Sequence, residues 1–182
     1  RKGIKGEWIF NLEGVRRVPY NLPELVNATE AVLVEGEKDA NNLKALGYAG
    51  STAVTTSQGG AKGWKPEYAE YFLSKQIAII PDNDRPGLEY AETVARSLQG
   101  KASVITIVEL PGLGERKEKH GKDVSDWIEL SRLEGKTDKE IKAELDQLIK
   151  NAPLWGPKSG SSDIPQNEPC GFVMLDTVTP EP

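Results

Sequence analysis

The chain has 182 residues, of which 37% are hydrophobic and 28% are charged, and its formal net charge is −5. This length and composition predict one soluble globular domain with its own core and room for short appendages. The acidic total excludes a protein that coats nucleic acid through its overall charge. The single cysteine, Cys170, excludes an intrachain disulfide and a cysteine-rich zinc site.

Membrane and export signals are missing from the sequence. No run approaches the roughly 18 apolar residues that a membrane span needs, and the first residues have no signal-peptide pattern. We therefore expect a cytoplasmic protein with no membrane partner. Because the first residue is Arg1 rather than methionine, we also expect the chain to be a fragment of a longer polypeptide.

Residues 1–29 are predicted to form a β-hairpin and a short helix that pack on the core. In EWIFNLEGVRRVPY, residues 7–20, large apolar residues alternate with others before a Glu-Gly turn, which is typical of a hairpin. The segment NLPELVNA, residues 21–28, favours one short helix.

Strands and helices then alternate through residues 30–152, which we take as the main domain. Predicted strands occupy residues 31–36, 51–56, 76–81 and 103–110, and predicted helices occupy 37–47, 65–74, 86–100, 123–130 and 137–152. This alternation predicts an α/β fold, in which a parallel sheet of about four strands is flanked by helices on both faces. Thr137 and Glu140 are spaced as a capping box at the start of the last helix.

The regular pattern ends after residue 152. Residues 153–182 are rich in proline, glycine and serine, as in a linker. We expect this segment to lead to a following domain, of which CGFVML, residues 170–175, could form one strand.

Acidic residues follow two of the predicted strands. Glu35 ends the first strand, and Asp82 and Asp84 follow the apolar run at residues 77–80. Ligands of open parallel sheets bind beyond the carboxyl ends of the strands, so we expect these three carboxylates to share one small volume. Their mutual repulsion would raise their pKa values unless a cation offsets it. Oxygen ligands of this kind favour Mg²⁺ or Mn²⁺.

Residues beside these strand ends could extend the site. Asp123 and Asp126 follow the next strand and could add ligands, and the glycine-rich loop 57–63 offers backbone N–H groups that suit a phosphate. The candidate phosphate- or nucleic-acid-binding residues are Lys38, Gly59, Gly60, Lys62 and Arg85. Residues 1–5, Arg16-Arg17 and Arg116-Lys117 could meet a nucleic-acid backbone.

Most of these residues could instead have a purely structural role. An Asp-x-Asp at a strand end can be a helix cap or a solvated turn, and Asp123 or Ser125 can be an N-cap. Asp39 can be a residue of the helix surface, and His120 lies in a charged run typical of solvated side chains. Trp64 and Trp127 suit the core. The joint occurrence of Glu at one strand end, Asp-x-Asp at another and a third acidic cluster in an alternating pattern favours function.

The segments VEGEKDA, PDNDRPG and KDVSDWI resemble the three acidic motifs of the TOPRIM domain, the catalytic module of bacterial-type primases, topoisomerases and related proteins. The resemblance covers about residues 30–130. Together with GEWIFNLEGVRRVPYNLPEL, GGAKGW and ELPGL, these segments are similar to TOPRIM modules of phage and plasmid primase-helicase polypeptides. The chain has neither the zinc-binding module of many primases nor the phosphate loop GxxxxGK[ST].

The resemblance implies a TOPRIM, Rossmann-like catalytic domain over residues 30–152 and a role for each acid. Glu35 matches the general acid/base, which could also complete the metal shell, while Asp82 and Asp84 match the metal-binding pair. Asp39 and Asp123 match acidic positions that support the metal site, where Asp123 could be a ligand, and Asp126 is a plausible addition.

The implied activity is Mg²⁺-dependent nucleotidyl transfer by a DNA primase or primase-helicase. Its partners would be a single-stranded DNA template, nucleoside triphosphates and a helicase or ATPase domain downstream in the same chain. A TOPRIM-type nuclease and a non-catalytic nucleic-acid-binding replication module are the alternatives. A phosphatase of the haloacid-dehalogenase type is disfavoured, because DNDRPG lacks the threonine or valine expected soon after a nucleophilic aspartate.

Overall fold

The computed structural model describes residue 6, residues 15–57, residue 59 and residues 63–156. Most of the hairpin predicted over residues 7–20, and most of the linker predicted over residues 153–182, lie outside the described residues. Both therefore stay predictions.

Four parallel strands form a single sheet, which confirms the predicted α/β fold. The strands are β1 (Glu30–Leu33), β2 (Thr52–Thr55), β3 (Gln76–Ile79) and β4 (Val104–Ile107), in the order β2-β1-β3-β4. In the register, Val32 lies opposite Val54 on one side and Ala78 on the other. The inner strands are covered on both faces, which explains why they are continuous apolar runs in the sequence.

Helices flank the sheet on both faces. The α-helices are α1 (Leu22–Asn27), α2 (Glu37–Ala45), α3 (Arg85–Leu98), α4 (Val124–Leu133) and α5 (Asp138–Asn151). Within the described ranges, no helix is long and apolar enough to cross a membrane.

The segment between β2 and β3 is helical, and its helix is of the 3₁₀ type. A helix was predicted over residues 65–74, and Pro66–Phe72 form a 3₁₀ helix. Seven residues cover about 14 Å in a 3₁₀ helix and only about 10.5 Å in an α-helix. A 3₁₀ helix therefore spans a longer distance than an α-helix with the same number of residues. This segment runs from the carboxyl end of β2 back toward the start of β3.

Each face of the sheet has its own core, because side chains alternate along a strand. On one face Val32, Ala78 and Ile80 pack with residues of α2, α4 and α5, including Trp127. On the other face Leu33, Ile79 and their neighbours pack with α1, the 3₁₀ helix and α3. The sheet is thus enclosed on both faces, and its carboxyl edge is where polar groups collect.

The capping box predicted for α5 is present. The Glu140 N–H donates to Thr137 Oγ1, while the Glu140 carboxylate accepts from the Thr137 N–H at 2.8 Å. The backbone hydrogen bond from Thr137 is the main cause that lowers the pKa of Glu140. This cap holds the helix whose buried Ile141 and Leu145 close one core.

We expect Thr137→Ala to lower the free energy of unfolding by about 1 kcal/mol, because the first turn of α5 loses its side-chain acceptor. Urea titration followed by circular dichroism measures this change. Thr137→Ser, which keeps a hydroxyl, is the matched control and should retain most of the stability. Equal losses in both variants would contradict the assigned role of the hydroxyl.

Candidate functional site

Two neighbouring strands deliver carboxylates to the same edge of the sheet. The chain leaves β1 through Val34 to Glu35, and it leaves β3 through Ile80 and Pro81 to Asp82. Because β1 and β3 pair in parallel, these ends lie side by side. The backbone N–H of Asp82 donates to Glu35 Oε1 at 3.1 Å. The alternation of strands and helices therefore brings together the first two acids of the predicted site.

The start of α3 approaches this pair so closely that only glycine fits. A Cβ built on Gly87 would lie 2.5 Å from Glu35 Oε1 and 2.6 Å from the Asp82 carbonyl oxygen. Similarly, a Cβ on Gly36 would lie 2.8 Å from Asp39 Oδ2. The glycines behind the acidic residues therefore allow backbone and carboxylates to share a small volume.

Asp84 is the N-cap of α3 and is nearly buried. Its Oδ1 accepts from the Gly87 N–H and its Oδ2 accepts from the Gly121 N–H, each at 2.8 Å. The helix-cap role that the sequence left open is thus present. Since a carboxylate offers about four acceptor sites, these two hydrogen bonds orient Asp84 without exhausting its lone pairs.

The loop before α4 is fixed to the turn that carries these acids. The Asn83 N–H donates to the Lys122 carbonyl at 2.8 Å, and the Lys117 N–H donates to the Asn83 carbonyl at 3.1 Å. A Cβ on Gly121 would lie 2.3 Å from the Asn83 carbonyl oxygen, so this contact also requires glycine. The loop thereby places Asp123 beside the carboxyl edge.

Asp123 and Asp126 form a capping box at the start of α4. Asp123 Oδ1 accepts from the Asp126 N–H at 2.8 Å, and Asp126 Oδ2 accepts from the Asp123 N–H at 3.0 Å. The second oxygen of Asp123 accepts from Lys38 Nζ at 3.3 Å. Both aspartates therefore have structural roles, and the Lys38 ammonium offsets part of the local negative charge.

Asp39 is buried, with 6% of its surface exposed, so it does not lie on the helix surface. Ser125 Oγ donates to Asp39 Oδ1, and Asn42 Nδ2 donates to Ser125 Oγ at 2.7 Å. Ser125 and Asn42 were missed as site residues, because their relation to Asp39 arises only when α2 and α4 pack together. In the sequence, the position of Ser125 two residues after Asp123 was the feature that could have indicated its place in the site. The sequence suggested only a possible N-cap for this serine.

Burial and crowding raise the pKa values of three carboxyl groups. Desolvation is the main cause for Glu35 and Asp39, and the charges of neighbouring aspartates add to it. Desolvation also dominates at Asp82, where the charges of Glu35, Asp39, Asp123 and Asp84 help to raise the pKa to about 8. The carboxylates therefore repel one another, and near neutral pH Asp82 holds a proton unless another positive charge replaces it.

The predicted phosphate-binding residues are only partly described. Lys38 is ion-paired with Asp123, and Arg85 is exposed and ion-paired with Glu89 at 3.0 Å. Gly59 is exposed with a φ of 92°. Gly60 and Lys62 lie outside the described residues, so a phosphate cradle in this loop stays a prediction.

The donor set suits a hard divalent cation, because it consists of crowded carboxylates whose repulsion a cation would relieve. Within the described ranges, no three Asp, Glu, His or Cys side chains are grouped closely enough to hold a metal as they stand. The assigned roles of Glu35, Asp82, Asp84 and Asp123 as metal ligands thus remain predictions. Binding would require side chains at this edge to move from their present positions.

A cavity of about 530 Å³ lies at the opposite end of the sheet. Its lining includes the strand-initial residues Glu30, Gln76 and Val104, together with residues of α5. None of the predicted acidic site residues belongs to it. We place the candidate site at the carboxyl edge, where the titratable groups have perturbed pKa values.

The chain was compared with protein-family models, with curated proteins and with solved structures. No family model matches the chain. The gene 57 protein of Mycobacterium phage D29 is 31% identical over 114 residues, and the match covers 58% of this chain and 71% of that protein.

The structure is similar to the crystal structure of the zinc-binding and RNA polymerase domains of the Aquifex aeolicus primase. The TM-score is 0.52 at 22% identity, and the match covers 74% of this chain. The chain spans only 28% of the length of that primase chain. The likeness establishes a fold of the primase type.

A structure of the bacteriophage T7 lagging-strand DNA polymerase with primase domains of two gp4 subunits also matches. Its TM-score is 0.49 at 26% identity, covering 71% of this chain and 58% of that chain.

We expect Asp82→Asn to stabilise the metal-free protein at about pH 8 by roughly 1–2 kcal/mol. The folded pKa of Asp82 lies far above its unfolded value, so the folded state retains a proton that the unfolded state releases. The contribution of Asp82 to stability is then greatest below about pH 4 and falls as the pH rises toward 8, whereas asparagine mimics the protonated group and removes this loss.

Urea titrations in a chelator between about pH 5 and pH 8 measure the effect. Glu129→Gln, which removes an exposed carboxylate of α4, is the matched control and should change the profile little. An Asp82→Asn variant that is no more stable than the wild type at about pH 8 would contradict the burial-driven shift.

Proposed function

The chain belongs to the family of the gene 57 protein of Mycobacterium phage D29, and from this premise we propose that it is a TOPRIM-type module of a phage DNA primase or primase-helicase. Its reaction would be Mg²⁺- or Mn²⁺-dependent nucleotidyl transfer on a single-stranded DNA template. Nucleoside triphosphates would be the substrates, and a motor ATPase would follow downstream in the same polypeptide. The setting would be the cytoplasm.

One observation carries the proposal. Glu35 and Asp82 converge from neighbouring parallel strands, and both pKa values are raised by burial and by the charges of nearby carboxylates. A cluster of titratable groups of this kind destabilises the folded state and is typical of catalytic centres. The primase-type fold supports the same assignment, because the two proteins share a fold, but this support does not come from the chemistry of the site.

The proposal gives each of the six acids a role in cation binding. Asp82, Asp84, Glu35 and Asp123 would hold the cation, with Asp39 and Asp126 supporting them. When bound, Mg²⁺ would activate the attacking hydroxyl and stabilise charge on the transferred phosphoryl group. Asp84 is held by two backbone N–H groups and therefore presents a fixed carboxylate.

Glu35 is the residue best suited to move a proton. Its pKa is raised by burial and by neighbouring carboxylates, although the hydrogen bond from the Asp82 N–H acts in the opposite direction. A carboxyl group shifted toward the working pH can both accept and release a proton. The hydrogen bond from Asp82 also keeps Glu35 directed along the carboxyl edge.

A non-catalytic replication module is the second candidate. Asp84, Asp123 and Asp126 all cap helices, so purely structural roles account for three of the six acids. Structural roles do not account for Glu35 or Asp82, which cap no helix. A TOPRIM-type nuclease would use the same acids and differs only in its product.

We expect the chain to bind Mn²⁺, and Asp82→Asn to weaken this binding by about tenfold or more, because the variant loses one anionic oxygen ligand. Isothermal titration calorimetry near pH 8 measures the affinity. Asp82 is preferred over Asp84 for substitution, since Asp84 also caps α3 and its loss would disturb the fold. Glu129→Gln should bind as tightly as the wild type. Unchanged affinity in Asp82→Asn would remove the basis of the proposed chemistry.

A product assay separates the three functions. The chain is incubated with Mg²⁺, single-stranded DNA and ribonucleotides, and separately with supercoiled plasmid. We expect weak, salt-sensitive primer synthesis, because the net charge of −5 gives the template little long-range attraction. Glu35→Gln should reduce it by roughly a hundredfold, while Glu129→Gln should not.

Nicked plasmid without primers would identify a nuclease. Neither product, even when the flanking parts of the polypeptide are restored, would favour the non-catalytic module.

A further inference from the structure

A buried pair of hydroxyl groups lies behind the acidic edge of the sheet. Tyr90 belongs to α3 and packs among apolar side chains of one core, with 4% of its surface exposed. Its hydroxyl lies 3.0 Å from Ser57 Oγ, and either group can donate the hydrogen bond. Ser57 is also buried, and it opens the glycine-rich loop that follows β2. This hydroxyl pair, Tyr90 and Ser57, therefore joins the helix that Asp84 caps to the segment beyond β2.

The segment beyond β2 also holds the main chain of Glu35. Thr56 Oγ1 donates to the Glu35 carbonyl oxygen at 2.7 Å, and Ser57 is the next residue of the chain. One residue earlier on each strand, the Val34 N–H donates to the Thr55 carbonyl oxygen at 3.1 Å. Because these contacts are consecutive, a displacement of Ser57 would move Thr56 and disturb its hydrogen bond to Glu35.

Helix α3 meets the carboxylate of Glu35 directly as well. Its backbone approaches so closely that a Cβ built on Gly87 would lie 2.5 Å from Glu35 Oε1. Gly87 and Tyr90 are three positions apart, so they lie on the same face of the helix. This face therefore reaches Glu35 at two points, which are the carboxylate beside Gly87 and the carbonyl oxygen held through the hydroxyl pair and Thr56.

The hydroxyl of Tyr90 is not needed for packing. Phenylalanine would fill the same apolar space without a buried polar group that requires a partner. Burial is the main cause that raises the pKa of Tyr90 to about 12, and the charge of Glu35 adds to it, although the hydrogen bond with Ser57 acts in the opposite direction. The hydroxyl therefore stays protonated, and its contact with Ser57 offsets the cost of burying it.

We propose that Tyr90 is a positioning residue, which through Ser57 holds Glu35 in a fixed place beside the start of α3. The contact that depends on this placement is the hydrogen bond from the Asp82 N–H to Glu35 Oε1, at 3.1 Å. Tyr90 acts through other residues and touches neither cation nor substrate. Its consequence for metal binding rests on the proposed function, whereas its effect on Glu35 can be measured without a metal.

Nuclear magnetic resonance of the full chain in a chelator tests the placement through the proton shift of the Asp82 amide. Tyr90→Phe removes the hydroxyl and keeps the ring, so packing and ring-current effects change little. We expect the Asp82 amide proton to move upfield, because its hydrogen bond to Glu35 lengthens. Ser57→Ala should move it in the same direction, and the double variant should move it little further, since both substitutions remove one contact.

Tyr48→Phe is the matched control. Tyr48 is also buried, and its hydroxyl donates to Asp146 Oδ1 at 2.7 Å beside the cavity at the opposite end of the sheet. Both tyrosine variants lose a hydrogen-bonded hydroxyl and should melt a few degrees lower than the wild type. Only Tyr90→Phe should shift the Asp82 amide, so the comparison separates a displaced Glu35 from a general loss of stability.

Calorimetry with Mn²⁺ near pH 8 gives a second measurement on the same variants. Tyr90→Phe should weaken Mn²⁺ binding by about three- to tenfold, because outer groups that orient a ligand affect metal affinity without contacting the metal. Tyr48→Phe should bind Mn²⁺ as tightly as the wild type.

An Asp82 amide that shifts no more in Tyr90→Phe than in Tyr48→Phe would overturn the inference, whatever the metal titration gives. Unchanged Mn²⁺ affinity in Tyr90→Phe, against a wild type that binds the ion, would overturn it as well. If the wild type binds no Mn²⁺, the proposed metal chemistry fails, and the amide shift alone decides whether Tyr90 positions Glu35.

Discussion

Repulsion among partly buried carboxylates at one edge of a parallel sheet is the constraint on which the rest of this structure depends. Parallel pairing of β1 and β3 forces Glu35 and Asp82 together, and burial raises the pKa of Asp82 to about 8. A chain selected for stability alone would place amides or apolar residues there, because an uncompensated buried charge is destabilising. Carboxyl groups with pKa values raised in this way are typical of functional sites, and the surrounding fold must accommodate them.

The fold accommodates these acids by hydrogen bonds that serve two purposes. Asp84 caps α3 and Asp123 caps α4, so the contacts that begin each helix also fix the direction of a carboxylate. A helix cap and a metal ligand are therefore compatible roles, since a carboxylate has more acceptor sites than one cap uses. Gly87 completes the arrangement, because any side chain there would collide with Glu35.

Charge is organised locally although the chain is acidic overall. Lys38 and Arg85 lie near the acidic residues and are ion-paired, whereas Arg16 and Arg17 line a separate cavity and form no ion pair with a carboxylate among the described residues. A polyanion would be repelled by the acidic edge until a cation neutralised its carboxylates. The two signs of charge are therefore separated on the part of the surface that the structure describes.

The sequence by itself determined the α/β class, the four strands, the helix boundaries within a few residues and the meeting of Glu35 with Asp82. These features depend on periodicity and on the rule that parallel strands end at one edge. Only the tertiary structure decided that Asp39 is buried and bonded to Ser125, that Pro66–Phe72 coil as a 3₁₀ helix, and that the buried Tyr68 hydroxyl has no hydrogen-bond partner among the described residues. Asp39 and Ser125 are 86 positions apart, and burial, hydrogen bonding and coil type at such sites depend on side chains that meet only when distant segments pack together.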